Sequence, residues 1–122
     1  MKLAVIGSRT FNDYPLMEQI LLDYIAVHGP VSAIISGGAK GADTLAEKFA
    51  EDHSYNLKLI IYPADWFGLG KSAGFVRNQQ IVDACDSLIA FWDGKSPGTH
   101  HAIIRAAKMG KEVSVIKITS GS

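Results

Sequence analysis

Five short runs of Val, Ile, Leu and Ala alternate with segments of helical periodicity along the 122-residue sequence. The runs are apolar throughout rather than at every second position, which is typical of strands that helices cover on both faces. The predicted strands are Lys2 to Ile6, Ser32 to Ser36, Leu57 to Tyr62, Ser87 to Trp92 and Glu112 to Ile118. This pattern predicts an α/β fold, a single Rossmann-like three-layer sandwich with a five-stranded, mostly parallel sheet and helices on both faces.

Four helices are predicted between these strands. Their expected ranges are Pro15 to about His28, about Ala42 to His53, about Gly74 to Ala84 and about Thr99 to Met109. Asn12 or Asp13 is the expected N-cap of the first helix. The apolar face of that helix is predicted to contain Leu16, Ile20, Leu21, Tyr24 and Ile25. A long loop from Pro63 to Ala73 is expected before the third helix.

The composition describes one globular domain over residues 1–122, with 48% hydrophobic residues and 12 Lys+Arg against 12 Asp+Glu. A chain of this size buries enough apolar surface to fold without disulfides or a structural metal. The single cysteine, Cys85, lies in an apolar run, so we expect a reduced, cytoplasmic protein without a signal peptide. No apolar stretch approaches the about 20 residues of a membrane span, so no membrane partner is predicted. Because the net charge is zero, any site for a polyanion must be local.

Glycines and cations concentrate where the predicted strands end, which is where open parallel sheets bind their ligands. The four segments are GSRTF at 7–11, SGGAKGAD at 36–43, PADWFGLGKSAGFVRN at 63–78 and WDGKSPGT at 92–99. A glycine-shaped turn that enters a helix offers an anion free N–H groups and the positive end of the helix dipole. We therefore predict phosphate binding at SGGAKGAD, and a second such turn at SPGT with Thr99 as the helix cap.

Three familiar kinds of site are not predicted. Gly70-Lys71-Ser72 and Gly94-Lys95-Ser96 copy the end of a P-loop, but the first glycine of that pattern falls on Asp65 and Ile89. The dinucleotide fingerprint G-x-G-x-x-G is absent after the first strand. His100 and His101 are adjacent on a helix and point in different directions, so we expect no metal site and no required cofactor.

The order GSR, SGGAKGAD, GFVRN and, from Asp86, DSLIAFWDGKSPGT resembles the YspA-type branch of the SLOG superfamily over nearly the whole chain. The resemblance implies a Rossmann-like protein that binds a nucleotide or a nucleotide-derived signal. Relatives in that superfamily include DNA-processing protein A and the LONELY GUY, or lysine-decarboxylase-like, phosphoribohydrolases. With the strand-end argument, the resemblance gives the predicted ligand-binding residues: Gly7, Ser8, Arg9, Gly37, Gly38, Lys40, Gly41, Asp43, Arg77, Asn78, Ser96, Pro97, Gly98 and Thr99.

Three functions remain open from the sequence. The preferred one is a sensor or regulatory module that binds a nucleotide or an ADP-ribose-like ligand. The second is a phosphoribohydrolase-like enzyme that cleaves an N-glycosidic bond. The LONELY GUY signature P-G-G-x-G-T-x-x-E would place its catalytic glutamate at Ala102, so such an enzyme would need Asp43, Asp65 or Asp93 instead. We favour binding without catalysis.

The third function is single-stranded nucleic-acid binding, in which cations hold phosphates and aromatic rings stack on bases. The residues available for it are Lys71, Arg77, Lys95, Trp66, Phe67 and Trp92. The identity of the ligand is not encoded in any of these motifs. Whether a homo-oligomer completes the site is equally open.

Overall fold

The computed structural model describes residues 1–53 and 57–118, without the side chain of Lys71. Strands and helices alternate along the described chain. Their order is β1 (Lys2–Gly7), α1 (Tyr14–His28), β2 (Ala33–Ser36), α2 (Ala42–Asp52), β3 (Lys58–Ile61), α3 (Trp66–Leu69), α4 (Ala73–Ala84), β4 (Ser87–Trp92), α5 (Pro97–Lys108) and β5 (Glu112–Lys117). A 3₁₀ turn, Gly70–Ser72, joins α3 to α4.

The five strands form one parallel sheet in the order β3-β2-β1-β4-β5. The chain leaves the central strand β1 toward one edge through β2 and β3, and then crosses back to add β4 and β5 on the other side. The connections after β1 and β4 therefore lead to helices on opposite faces of the sheet, and a crevice opens between the ends of these two strands. The predicted α/β sheet is confirmed.

Two apolar cores lie on the two faces of the sheet. Helices α1 and α2 pack on one face and α4 and α5 on the other. Along β1, Leu3 and Val5 point into the first core, whereas Ala4 and Ile6 point into the second, as the two-residue period of a strand requires. The architecture is thus the predicted three-layer sandwich.

The edge strands depart from the expectation that helices cover every strand on both faces. The fully buried strand side chains come from β1, β2 and β4. On β3, Leu59 and Ile61 are exposed, and on β5 Val115 is exposed. The reason is geometric, because each layer has two helices packed over the centre of the sheet and the outer faces of its edges are left open.

Two local expectations need correction. The segment from Pro63 to Ala73 is not all loop, because α3 begins after Asp65, whose carboxylate accepts the Gly68 N–H at 2.8 Å. On α1, Asp13 is the N-cap as predicted and accepts the Leu16 N–H at 3.1 Å. The Leu16 side chain is 39% exposed, however, and Met17 is buried in its place. The buried face of α1 therefore consists of Met17, Leu21 and Tyr24.

Within the described residues, the helices are all too short or too polar to cross a membrane. The longest of them, α1, contains 15 residues.

We predict that Gly41→Ala destabilises the protein far more than Gly110→Ala. Both glycines have a positive φ, +74° and +73°, which strains an L-residue, and at Gly41 the ψ of −124° also lies outside the left-handed helical region. A Cβ at Gly41 would collide with the carbonyl oxygens of Ser8 and Arg9, whereas a Cβ at Gly110 would have no atom within 4 Å. The collision should add about 1–3 kcal/mol. Urea unfolding of both variants measures the difference, and equal losses would show that this contact can relax.

Candidate ligand-binding cleft

A cavity of about 390 Å³ opens at the carboxyl ends of β1 and β4. Most of the predicted ligand-binding residues line it, so the fold brings four separated segments of sequence together. Its walls are formed by Ile6, Gly7, Ser8, Arg9, Thr10, Ala39, Asp43, Arg77, Asn78, Ile81, Ser96, Pro97, Gly98 and Thr99. We call it the main cavity.

A second cavity, of about 350 Å³, adjoins the main one. The two share Arg9, Ala39 and Arg77, so together they form one continuous cleft. The predicted residues Gly37, Gly38 and Lys40 lie in this second cavity, with Pro63, Ala64 and Trp66. Gly41 lines neither cavity and instead packs against the loop after β1.

Arg77 occupies the junction of the two cavities. Helix α4 carries it inward, where Nη1 donates to the Gly37 carbonyl at 2.8 Å and Nε donates to Asn78 Oδ1 at 3.0 Å. Burial lowers the pKa of Arg77, and the nearby charge of Arg9 acts in the same direction, while Asp43 opposes the shift. Arg77 therefore lies close to a second cation, Arg9, and to one carboxylate, Asp43.

Asp43 lies in the first turn of α2 and is only 5% exposed. Its Oδ2 accepts the Ala39 N–H at 3.2 Å. Burial raises the pKa of Asp43 to about 6 and outweighs the opposing effects of the Ala39 N–H and Arg77. The carboxylate is therefore mostly ionised at pH 7 and takes up a proton near pH 6.

The glycine-rich turn is largely filled by groups of the protein itself. A Cβ at Gly37 would strike the Arg77 guanidinium and lie 2.8 Å from Asp43 Oδ2. Gly37 thus makes room for a side-chain cation and its carboxylate partner. Gly38, with φ +70°, is exposed and lines the second cavity. Phosphate binding at this turn stays a prediction, although Asp43 already holds one of its N–H groups.

The N-terminus of α5 is more open than the glycine-rich turn that leads into α2. The helix begins at Pro97 after the N-cap residue Ser96, which makes no side-chain capping bond. The expectation that Thr99 caps this helix is wrong, because proline has a backbone already suited to the first helical position and the helix starts two residues earlier. Thr99 is instead buried in the first turn and lines the main cavity. The N–H groups of Gly98 and Thr99 lie in the turn whose donors have no carbonyl partner inside a helix.

Asn78 joins α4 to this helix start. Its Nδ2 donates to the Gly98 carbonyl at 3.1 Å and lies 3.3 Å from His101 Nδ1, while its Oδ1 accepts from Arg77. All of these partners belong to the cleft or its immediate support. Asn78 therefore orients Arg77 and fixes the carbonyl of Gly98, besides lining the main cavity.

Asp93 forms the turn that leads into α5. Its Oδ1 accepts the N–H groups of Lys95 and Ser96, both at 2.8 Å, and Ser96 Oγ lies 3.1 Å from its Oδ2. Those two N–H bonds, with Ser96 first, lower the pKa of Asp93 to about 2. Ser8 Oγ accepts the Asp93 N–H at 3.1 Å and thereby links the loops after β1 and β4. A carboxylate with these partners is ionised at neutral pH and cannot donate a proton.

The cations and aromatic rings proposed for nucleic-acid binding lie in different places. Trp66 reaches the second cavity, but Phe67 is fully exposed. Trp92 Nε1 donates to the Ser96 carbonyl at 3.0 Å, and its ring stacks on His100. Lys95 is exposed. The Lys71 side chain lies outside the described part of the structure.

Sequence reasoning missed several members of the cleft wall. Thr10, Ala39 and Ile81 line the main cavity without any polar motif that marks them. Phe75 faces the same region, and its spacing of three residues from Asn78 on α4 is the signal that could have found it. Among the described residues, no group of three or more His, Cys, Asp or Glu could hold a metal ion.

Comparison with known proteins places the chain in a family. The model of the YAcAr family, described as the YspA, cpYpsA-related SLOG family, matches residues 1–67. The chain is also 33% identical over 113 residues to the Gene 61 protein of Mycobacterium phage D29, which covers 89% of this chain and 90% of that protein. The chain belongs to the YspA, cpYpsA-related SLOG family. The resemblance expected from the motifs is confirmed.

A solved structure shares the fold of this SLOG protein. It is that of DNA processing protein A from Helicobacter pylori, described for its unique single-stranded DNA binding mode. The TM-score is 0.68 at 22% identity, with 94% of this chain covered. The SLOG chain spans 64% of the length of that structure.

We predict that replacing Asp43 with Asn changes the pH dependence of stability. The pKa of Asp43 is raised from 3.8 to about 6 in the folded protein, so its contribution to stability is fully present below pH 3.8 and is lost as the pH rises through 6. Asp43→Asn removes that dependence and keeps an oxygen for the Ala39 N–H. Relative to the wild type, the variant should gain on the order of 2 kcal/mol between pH 4 and pH 7.

Asp93→Asn is the matched control, because the stability contribution of Asp93 changes with pH in the opposite direction. The pKa of Asp93 is lowered to about 2, so its contribution is present above pH 4 and is lost as the pH falls toward 2. Denaturant unfolding between pH 2 and pH 7 measures the stability of both variants and of the wild type. A stability difference between Asp43→Asn and the wild type that does not change with pH would contradict the raised pKa.

Proposed function

We propose that this SLOG protein binds a nucleotide or a nucleotide-derived ligand of the ADP-ribose type through its phosphate, as a sensor or regulatory module. The observation that carries the proposal is the arrangement of positive groups around one cavity. The guanidinium groups of Arg9 and Arg77 and the N-terminus of α5 all line the main cavity. Within residues 1–53 and 57–118, Asp43 is the one buried carboxylate that offers them a counter-charge.

The energetics of this arrangement favour an anionic guest. Arg77 is partly buried, which makes its charge costly, and the charge of Arg9 increases that cost. A phosphate between the two guanidinium groups would relieve the repulsion and form charge-assisted hydrogen bonds to both. The N–H groups of Gly98 and Thr99 would supply further donors from the helix start.

Arginine suits this task better than lysine would. The planar guanidinium can donate to the Gly37 carbonyl and Asn78 with two of its nitrogens and still present its remaining N–H groups to a ligand. The protein contacts fix the orientation of the fork before the ligand arrives. A preorganised donor loses less entropy on binding, which raises the affinity for a phosphate.

Single-stranded DNA binding is the second candidate function. It is favoured by the structural likeness to DNA processing protein A, whose structure was described for its single-stranded DNA binding mode. The exposed rings of Trp66 and Phe67 give it stacking surfaces. The zero net charge weighs against it, because binding of a long polyanion draws on an extended cationic surface. Titration of an oligonucleotide at two salt concentrations separates the candidates, since only strand binding weakens steeply with salt.

We predict that Arg9→Ala weakens binding of AMP about tenfold or more, because one charge-assisted contact to phosphate is lost. Arg9 is exposed, so its removal should leave the melting temperature unchanged. Arg105→Ala is the matched control, since Arg105 is an exposed arginine on α5 that donates to Gln79. Calorimetric titration with AMP measures all three proteins. Equal affinities for AMP in the wild type and Arg9→Ala would remove Arg9 from the site.

We also predict binding without hydrolysis of the N-glycosidic bond. Ala102, at the position of the LONELY GUY glutamate, is buried in the second apolar core. Of the three candidate carboxylates, Asp43, Asp65 and Asp93, only Asp43 lines the main cavity. Asp93 is in addition held ionised by its turn. Incubation with AMP should therefore release no adenine above the protein-free rate when followed by chromatography. Release that disappears in Asp43→Asn would make the protein a hydrolase.

A further inference from the structure

A third cavity, of about 190 Å³, opens beside the main one and has aromatic walls. It shares Arg9, Arg77, Asn78, Pro97 and Gly98 with the main cavity. Its remaining members are Trp66, Gly74 and Phe75. We call it the aromatic pocket. The phosphate-binding groups do not account for its two rings, of which Phe75 belongs to the GFVRN motif and Trp66 lies outside the motifs that carry the family resemblance.

Trp66 forms one wall of the aromatic pocket. The short helix α3 brings its indole over the start of α4, where Cη2 would lie 3.5 Å from a Cβ placed on Gly74. That separation is an ordinary van der Waals distance, so the indole packs closely over the first turn of α4. The Trp66 side chain remains 52% exposed, so a large part of the indole surface is free for a ligand.

Phe75 is the second ring, and it is supported from behind. Its ring packs against the imidazole of His101 with centroids 4.5 Å apart and planes at 55°. His101 in turn is placed by Asn78, whose Nδ2 lies 3.3 Å from its Nδ1. Phe75 is 53% exposed. Two half-exposed aromatic rings thus meet at a pocket that also contains the Arg77 guanidinium.

This combination matches the chemistry of a nucleobase. A base has flat apolar faces that stack on aromatic rings and polar edges that accept or donate hydrogen bonds. Rings of Trp66 and Phe75 supply the first kind of contact, and Arg77 and Asn78 supply polar atoms at the rim of the same pocket. A purely apolar ligand would make no use of the remaining N–H groups of Arg77, and a bare phosphate would gain nothing from the rings.

We infer that the aromatic pocket is the base-binding subsite of the ligand. The inference rests on the proposed function, because it places the base relative to a phosphate held in the main cavity. The wall shared by the two cavities, from Arg77 to Gly98, is where the ribose lies. Stacking does not distinguish one base strongly from another, so the subsite selects for the presence of a base more than for its identity.

The test compares AMP with ribose 5-phosphate, which has the same sugar and phosphate but no base. The wild type should bind AMP about 5- to 150-fold more tightly, the range that stacking of one base on aromatic side chains provides. Trp66→Ala and Phe75→Leu should each lose most of this advantage for AMP. Their affinity for ribose 5-phosphate should equal that of the wild type, because the phosphate contacts are untouched.

Phe67→Ala is the control variant. Phe67 follows Trp66 on α3 and is fully exposed, and it lines none of the three cavities of the cleft. Its removal should leave both affinities unchanged. Circular dichroism and melting of each variant show that it is folded, and half-exposed side chains such as Trp66 and Phe75 tolerate replacement.

A second readout is tryptophan fluorescence. AMP should quench the part of the emission that disappears in Trp66→Leu, since a stacked base contacts that indole, whereas ribose 5-phosphate should not. Equal binding of both ligands to the wild type, with no effect of Trp66→Ala, would overturn the base subsite and leave the phosphate site standing. Binding of neither ligand would overturn the proposed function and the subsite together.

Discussion

Parallel pairing of all five strands is the constraint on which the rest of this structure depends. Every crossover returns the chain to the same end of the sheet, so the carboxyl ends of all five strands lie side by side. With β1 next to β4, the connections that leave these strands diverge to opposite faces and open a crevice between them. Residues as distant in sequence as Ser8 and Ser96 meet there, with their Oγ atoms 3.1 Å apart. The strand order creates the cleft, and the side chains then line it.

Within that crevice, the partly buried charge of Arg77 organises the glycine-rich turn. Its guanidinium needs a carbonyl and a carboxylate to offset the loss of water, and the Gly37 oxygen and Asp43 provide them. This explains why a residue with a side chain would not fit at position 37. Arg9, the free side of Arg77 and the start of α5 are left to face the main cavity.

Asp43 and Asp93 illustrate how local partners set the pKa of a carboxyl group. Asp43 and Asp93 both follow a strand closely, yet burial raises the pKa of Asp43 and three polar partners in a turn lower that of Asp93. Neither arrangement resembles a glutamate in the first turns of α5, where this SLOG protein has Ala102 packed in a core. The aromatic pocket of Trp66 and Phe75 adds contact surface rather than reactive groups. These features agree with the proposed binding function.

The sequence by itself determined the parallel sandwich, because continuous apolar runs such as Ala4 to Ile6 and Leu88 to Phe91 suit only strands buried on both faces. It also located most of the cleft wall, because glycines and arginines at strand ends mark the edge where ligands bind. Tertiary structure alone decided what each group contacts. The motif SGGAKGAD predicts a phosphate turn, but it does not show that Arg77 and Asp43 pack against Gly37. From the sequence, Phe75 is one more apolar residue of a helix. Only the fold shows that α3 brings Trp66 to the same pocket. Periodicity records which face of a segment is apolar, whereas the partners across a cleft depend on how separate segments pack.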